Sequence, residues 1–288
     1  MTELVFSLYG AFPRDRAAFV ADTLYTLREL GLQYNRPPSR GRTVHQTDPQ
    51  GPALPFEEPL SSAASPDRFP DAVDRVKGGF WPHVWMQAAV PWQEGRRGTS
   101  GTRPVPVVVS LRELPQRDSP ARHEGSAFYE VSMAAPVSGL LDVEREEEGE
   151  QGLEWVLTQF FIPLFISRGA LYGKVDFDPS GAREVKPYHL EHVTLPDLYL
   201  FNLLGAPFVR KYGERALRAL PTNPPSLQRR WMARTPEGAV LFRCRVEADR
   251  WDGAGEMPVD FHAWGGRFAL IEGLERAARD GRAHGGYS

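Results

Sequence analysis

Hydrophobic positions along the chain switch between a two-residue and a three-to-four-residue spacing, and each switch marks an element. "ELVFSLYGAF" alternates and is rich in apolar and aromatic residues, which predicts a strand over Leu4 to Tyr9 and a turn at Pro13. From Arg14 to Leu30 the positions Phe19, Val20, Thr23, Leu24, Leu27 and Leu30 recur at steps of three and four. Arg16, Asp22, Arg28 and Glu29 occupy other faces, so this is an amphipathic helix ending at Gly31. "DAVDRVKGGFWPHVWMQAAVPW" contains Ala72, Val73, Val76, Phe80, Val84 and Met86 and reads as a short or broken helix crowded by Trp81, Trp85 and Trp92. A flexible basic loop, "GRRGTSGTR", follows it.

"PVPVVVSLRELP" and "SAFYEVSMAAP" predict strands over Val105 to Leu111 and Ala127 to Met133, paired antiparallel. The most apolar stretch, "LEWVLTQFFIPLFISRGALYG", predicts a helix from Leu153 to about Ser167, bent at Pro163 and buried on most of its surface. "ALYGKVDFDPSG" returns as a strand closed by a turn at Asp178 to Gly181. Thr194 and Asp197 are spaced as an N-cap and an acidic third residue, so a helix is expected after Thr194, with Gly205 as its stop. Pro207 begins a second short helix through Tyr212 to Gly213. "RWMARTPEGAVLFRCRV" has the form of a hairpin about "PEG", with Trp231 and Met232 facing Leu241 and Phe242, and a helix closes the chain.

This order has no repeating strand-helix-strand rhythm, which favours an α+β fold with a largely antiparallel sheet packed against amphipathic helices, in one or two similar layers. The expectation is one domain over residues 1–288, with a division near residue 140 as the alternative. Residues 35–70 carry eight prolines and no sustained period, which predicts a long surface excursion.

Composition narrows the class. The chain has 288 residues, 41% hydrophobic and 25% charged, an ordinary balance for a folded domain. A single cysteine, Cys244, excludes an intramolecular disulfide or a thiolate zinc site and reads as a small buried hydrophobe. No segment has the basic start and apolar run of a secretion signal or the length of a membrane span, so a cytoplasmic protein is expected. The net charge of −3 argues against a dedicated nucleic-acid binder. Charge is nevertheless segregated: residues 142–150 hold six acids and one arginine, whereas Pro207 to Arg250 hold ten basic and four acidic residues.

Candidate chemistry is sparse. His189, Glu191 and His192 could share a metal if they lay on one helix face, but Pro187 before them and the cap expected at Thr194 place them in an extended or turn segment. His123 and Glu124 are neighbours in a polar loop and would not converge on one atom. His83 between Trp81 and Trp85 fits an aromatic cage or, more simply, core packing. Asp176 and Asp178 lack the further carboxylates of a calcium loop, and no nucleophile elbow or phosphate loop is present. No catalytic residue, metal or cofactor is therefore assigned.

The segment "LPDLYLFNLLGAPFVRKYGERAL" resembles the type VI immunity family, whose members are encoded beside secreted antibacterial toxins. Phe201, Asn202, Leu204, Gly205, Val209, Lys211 and Gly213 carry the likeness, "SRGALYGKVDF" adds to it upstream, and it covers about residues 125–250. It implies a protein without catalytic activity that binds and neutralises a cognate toxin by protein–protein contact. Trp81, Trp85, Glu144, Glu146, Glu147 and Glu148 are the candidate contact residues. Asn202, with Gly205 and Gly213, is expected to be structural, buried and hydrogen-bonded to nearby backbone. Two alternatives stand beside this reading: a hydrolase or transferase using dispersed residues such as His189, His192 and Asp176, and a nucleic-acid-associated defence protein using the Arg-rich C-terminal third.

Overall fold

The computed structural model describes residues 3–13, 15–34, 68–79, 82–94, 99–115, 126–140, 151–177, 184–218, 233–243 and 271–280. Among these, nine strands form one antiparallel sheet: β1 (Glu3–Pro13), β2 (Gln33–Tyr34), β3 (His83–Glu94), β4 (Thr99–Glu113), β5 (Ser126–Pro136), β6 (Tyr172–Phe177), β7 (Phe201–Leu204), β8 (Ala233–Arg234) and β9 (Val240–Arg243). Their order is β2-β3-β4-β5-β1-β6-β7-β9-β8. The first strand is central, paired with β5 on one side and β6 on the other, so the sheet runs without a break across residue 140.

Alternation decides which face each side chain takes. Leu4, Phe6 and Leu8 enter the larger core with Val84, Met86, Ala88 and Val90 of β3 and Val105, Val107 and Val109 of β4. On this face lie α1 (Arg16–Glu29), α2 (Phe69–Lys77) and the long apolar helix. The first starts at Asp15, whose carboxylate accepts the Ala18 N–H at 3.0 Å, and it buries Phe19, Val20, Thr23, Leu24 and Leu27. Gly31, with φ of 108°, ends it as expected.

The apolar helix runs from Gln151 to Ser167 as α3 (Gln151–Val156), a π turn (Leu157–Phe161) and α4 (Ile162–Ser167). The Ile162 N–H donates to the Leu157 carbonyl, five residues back. Proline cannot donate, and its ring crowds the carbonyl four residues earlier. The widened turn just ahead of Pro163 relieves that crowding, so the irregularity expected at Pro163 is spread over the residues before it.

The opposite face is covered over only part of its width by described residues. Here α5 (Pro187–Glu191), the segment 195–200, α6 (Ala206–Tyr212), α7 (Glu214–Arg218) and the helix 271–280 surround a second core. It contains Tyr9, Tyr172, Leu190, Leu198, Tyr199, Leu204, Phe208, Val240, Phe242 and Leu274. The hairpin of β8 and β9 and the final helix match the expectation, as does the Pro207 helix, closed by Gly213 at φ 81°. Trp231, Met232 and Cys244 lie outside the described residues, as does most of the Pro-rich excursion.

Two expectations are corrected. The Trp-rich segment is a short helix only to Lys77; from His83 to Glu94 it is a twelve-residue strand, and the loop expected after it already belongs to β4 from Thr99. The alternation Val84, Met86, Ala88, Val90 carries that strand. The helix expected after Thr194 is irregular chain followed by β7, a strand buried at all four positions and paired on both sides. A strand buried on both faces loses its alternation and reads like a buried helix. Gly205 accordingly begins a helix instead of ending one, and the Thr194 hydroxyl makes no capping bond, having no hydrogen-bond partner.

Candidate functional site: the open face of the sheet

The second face of β3, β4 and the middle of β5 presents half-buried or exposed side chains. His83, Trp85 and Gln87 are half-buried, as are Val108, Ser110, Ser132 and Ala134, while Ala89, Pro91, Pro104, Pro106 and Arg112 are exposed. The register sets these out in rows. One row reads Trp85, Val108, Ala134, Val5 and Asp176 across β3, β4, β5, β1 and β6. Beside it runs a polar row: His83, Ser110, Ser132, Ser7, Lys174 and Asn202, each directly opposite the next.

A third row, Arg112, Glu130, Tyr9 and Tyr172, is locked by its own bonds. The buried Glu130 accepts the Tyr9 hydroxyl at 2.7 Å on Oε1 and the Arg112 Nε–H on Oε2; Arg112 also reaches Glu184 at 3.2 Å. Burial, reinforced by the Glu130 carboxylate, pushes the Tyr9 phenol well above its usual range, so it remains a donor. This row closes the boundary between the open face and the second core.

Lys174 occupies that boundary. The residue is 7% exposed, and its Nζ stands 4.3 Å from the centre of the Tyr199 ring. Burial holds the ammonium below its ordinary pKa, with Glu130 and Asp176 partly restoring the charged form. At the other end of the row His83 packs edge-on against Trp85 at 5.9 Å, and burial lowers its pKa too.

Asn202 closes the polar row inside the second core, wholly buried. Its Oδ1 accepts the Tyr172 hydroxyl at 3.0 Å and the Tyr199 N–H at 3.2 Å, and its Nδ2 donates to the Tyr199 carbonyl at 2.8 Å. It is thus a buried polar residue satisfied largely by backbone, on a strand and not on a helix. Gly205 sits where a Cβ would lie 2.8 Å from the Leu171 carbonyl oxygen, and Lys211 donates to the Val193 carbonyl and to Glu275, both at 2.8 Å. The residues that carry the family likeness therefore build scaffold.

Of the candidate contact residues, Trp85 is half-buried on the open face; Trp81, Glu144, Glu146, Glu147 and Glu148 lie outside the described residues, as do His123, Glu124 and Asp178. His189 and His192 fall on the short helix Pro187–Glu191 and its C-cap, not in extended chain. His189 is buried, its Nδ1 accepting the Lys186 N–H at 3.0 Å, while His192 is exposed. Asp176 lies on the second face, two residues from Lys174. Among the described residues no three of His, Cys, Asp or Glu gather as a metal site. In the Arg-rich third, Arg210 and Arg215 are exposed, whereas Lys211 is turned to internal bonds.

The sequence reading missed Lys174, Ser7, Glu130 and Arg112. The signal was a lysine between Gly173 and Val175 in a short strand that is largely aromatic and apolar apart from Asp176, but the register that sets Ser7 opposite it is not written in either segment alone.

The site lies on an antiparallel α+β sheet, one face of which the described residues cover over only part of its width. Comparison with protein-family models, with curated proteins and with solved structures gives no match.

Proposed function

We propose that this chain is a non-catalytic immunity-type protein that binds a cognate secreted toxin and neutralises it by protein–protein contact. The observation that supports it is the open sheet face centred on Trp85, where a large aromatic ring stands among small and apolar side chains with a polar row alongside. Aromatic side chains in such settings are the usual anchors of partner binding. The charged groups on this face are spent on one another, as in the Tyr9, Glu130, Arg112 and Glu184 chain, and do not converge on an open reaction centre.

The resemblance to the immunity family adds the kind of partner, and the segment that carries it forms β7 and part of the second core, on the same side of the sheet as Trp85 and beside it. The reading is tested by calorimetric titration of the purified product of the adjacent gene into this protein. Saturable binding that Trp85→Ala weakens at least about tenfold, a loss of about 1.4 kcal/mol, is expected. Binding that is absent, or indifferent to changes on this face, would remove the support.

A further inference from the structure

The helix 271–280 is held to the body by few side chains. It buries Leu274 and Ala278 in the second core, while Glu272, Gly273, Arg276, Ala277, Arg279 and Asp280 face solvent. A helix this short, with a glycine inside it, is not stable alone, so it is helical because it is docked. Its polar anchor is Glu275, which accepts from Lys211 and from the Tyr212 hydroxyl. Both of these side chains reach the turn at 193–195. Lys211 donates to the Val193 carbonyl at 2.8 Å, and the Tyr212 oxygen accepts the Leu195 N–H at 3.1 Å. Val193 stands there at φ 52°, so the groups that Glu275 orients hold the turn in an unfavourable conformation.

The same turn leads into residues 195–200, which close over Lys174. Tyr199 sets its ring 4.3 Å from the Lys174 Nζ, and the Asp197 carboxylate, with Glu130 and Asp176, favours the charged ammonium. At its far end the segment is tied to Asn202 through the Tyr199 N–H and carbonyl. At its near end it is tied to Tyr212, and so to Glu275.

We infer that the helix 271–280 is a releasable strap: docked, it holds residues 195–200 over Lys174 at the margin of the open face, and released, it uncovers that lysine. The two-state element is the helix itself, folded when docked and unfolded when free. Strain at Val193 favours release, whereas burial of Leu274 and Ala278 and the Glu275 bonds oppose it, so this unit opens before the sheet does. The device does not depend on what binds the open face.

The test is amide hydrogen exchange of the full chain across a series of low urea concentrations. The expected result is one shared opening for 271–280, 193–195 and 197–200, with protection at least about tenfold below that of β1 and β5. Lys174 is followed beside it by acetylation with N-hydroxysuccinimidyl acetate, read by peptide mass spectrometry. Leu274→Ala removes an apolar anchor and Glu275→Ala the polar one; in each, acetylation of Lys174 should speed up at least about fivefold while that of Lys77 stays at the parent rate. In the parent, separate openings for the helix and for 197–200, or a helix as protected as β1 and β5, would overturn the strap. In the variants, faster exchange of the helix with Lys174 still at the parent rate overturns it, as does acceleration that extends to Lys77 or to β1 and β5. If neither variant folds, the parent series decides alone.

Discussion

The Tyr172 hydroxyl donates to Asn202 Oδ1 across the β6–β7 pair, and the same oxygen takes the Tyr199 N–H, so one amide ties two strands to the turn that precedes the second. Replacing Asn202 by Leu keeps the branched shape with a bulkier side chain and removes the amide's three hydrogen bonds, to the Tyr172 hydroxyl and to the Tyr199 N–H and carbonyl. A loss of about 3 kcal/mol is expected in urea unfolding, with an unchanged slope against denaturant. A loss below about 1 kcal/mol would mean that water or neighbouring groups replace the amide.

The two glycines of the same segment should differ in cost. At Gly205 an added Cβ would lie 2.8 Å from the Leu171 oxygen and 3.2 Å from that of Ala170, both backbone atoms that cannot step aside. At Gly213 there is open space, but φ is 81°. Gly205→Ala should cost about 2 to 3 kcal/mol through crowding, and Gly213→Ala about 1 kcal/mol through backbone strain. Thermal unfolding of the two variants side by side gives the ranking.

How far these features were legible follows from the physics that writes them. Chain-local signals were readable: the Asp15-capped helix, the strand of Val105 to Leu111, the helix that starts at Pro207 and the buried, backbone-bonded character of Asn202. What failed was β7, where burial on both faces removes the alternation that distinguishes strand from helix, and β3, whose alternation was masked by the density of tryptophan. The polar row could not be read at all. Ser7, Ser132 and Lys174 become neighbours only through the pairing order, and no single segment contains that order.

Glu275, on the helix 271–280, accepts from Lys211 at 2.8 Å and from the Tyr212 hydroxyl, and Lys211 also donates to the Val193 carbonyl, which lies 3.2 Å from the same Tyr212 oxygen. Val193 is held at φ 52°, a conformation β-branched residues avoid, so this clamp stabilises a strained turn. Glu275→Ala leaves the largely buried Lys211 ammonium without its carboxylate and should cost about 2 kcal/mol. Amide hydrogen exchange should accelerate at residues 193–195 and 271–280 together; acceleration of the helix alone would uncouple it from the turn.

Lys174 and His83 give the fold a pH signature with a defined sign. Both are held below their ordinary values of 10.5 and 6.5 by burial, so the unfolded chain binds more protons than the folded one in each window. Stability from these groups therefore rises with pH, approaching 6.5 for His83 and approaching 10.5 for Lys174. Any stability advantage of Lys174→Met should shrink as pH is raised from 7 toward 10, and His83→Phe should flatten the acid-side loss below pH 6.5. Tyr9, held well above 10.0 chiefly by burial, acts oppositely and lowers stability above that pH. Denaturation midpoints of the variants across pH separate the three.

The proposal that this chain neutralises a toxin is tested most directly by growth of cells expressing the adjacent gene product with and without it. The account predicts arrest by that product alone, rescue by the parent protein, and loss of rescue in Trp85→Glu with its fold and amount intact. An adjacent product that does not arrest growth, or arrest that this protein leaves unchanged, would contradict it.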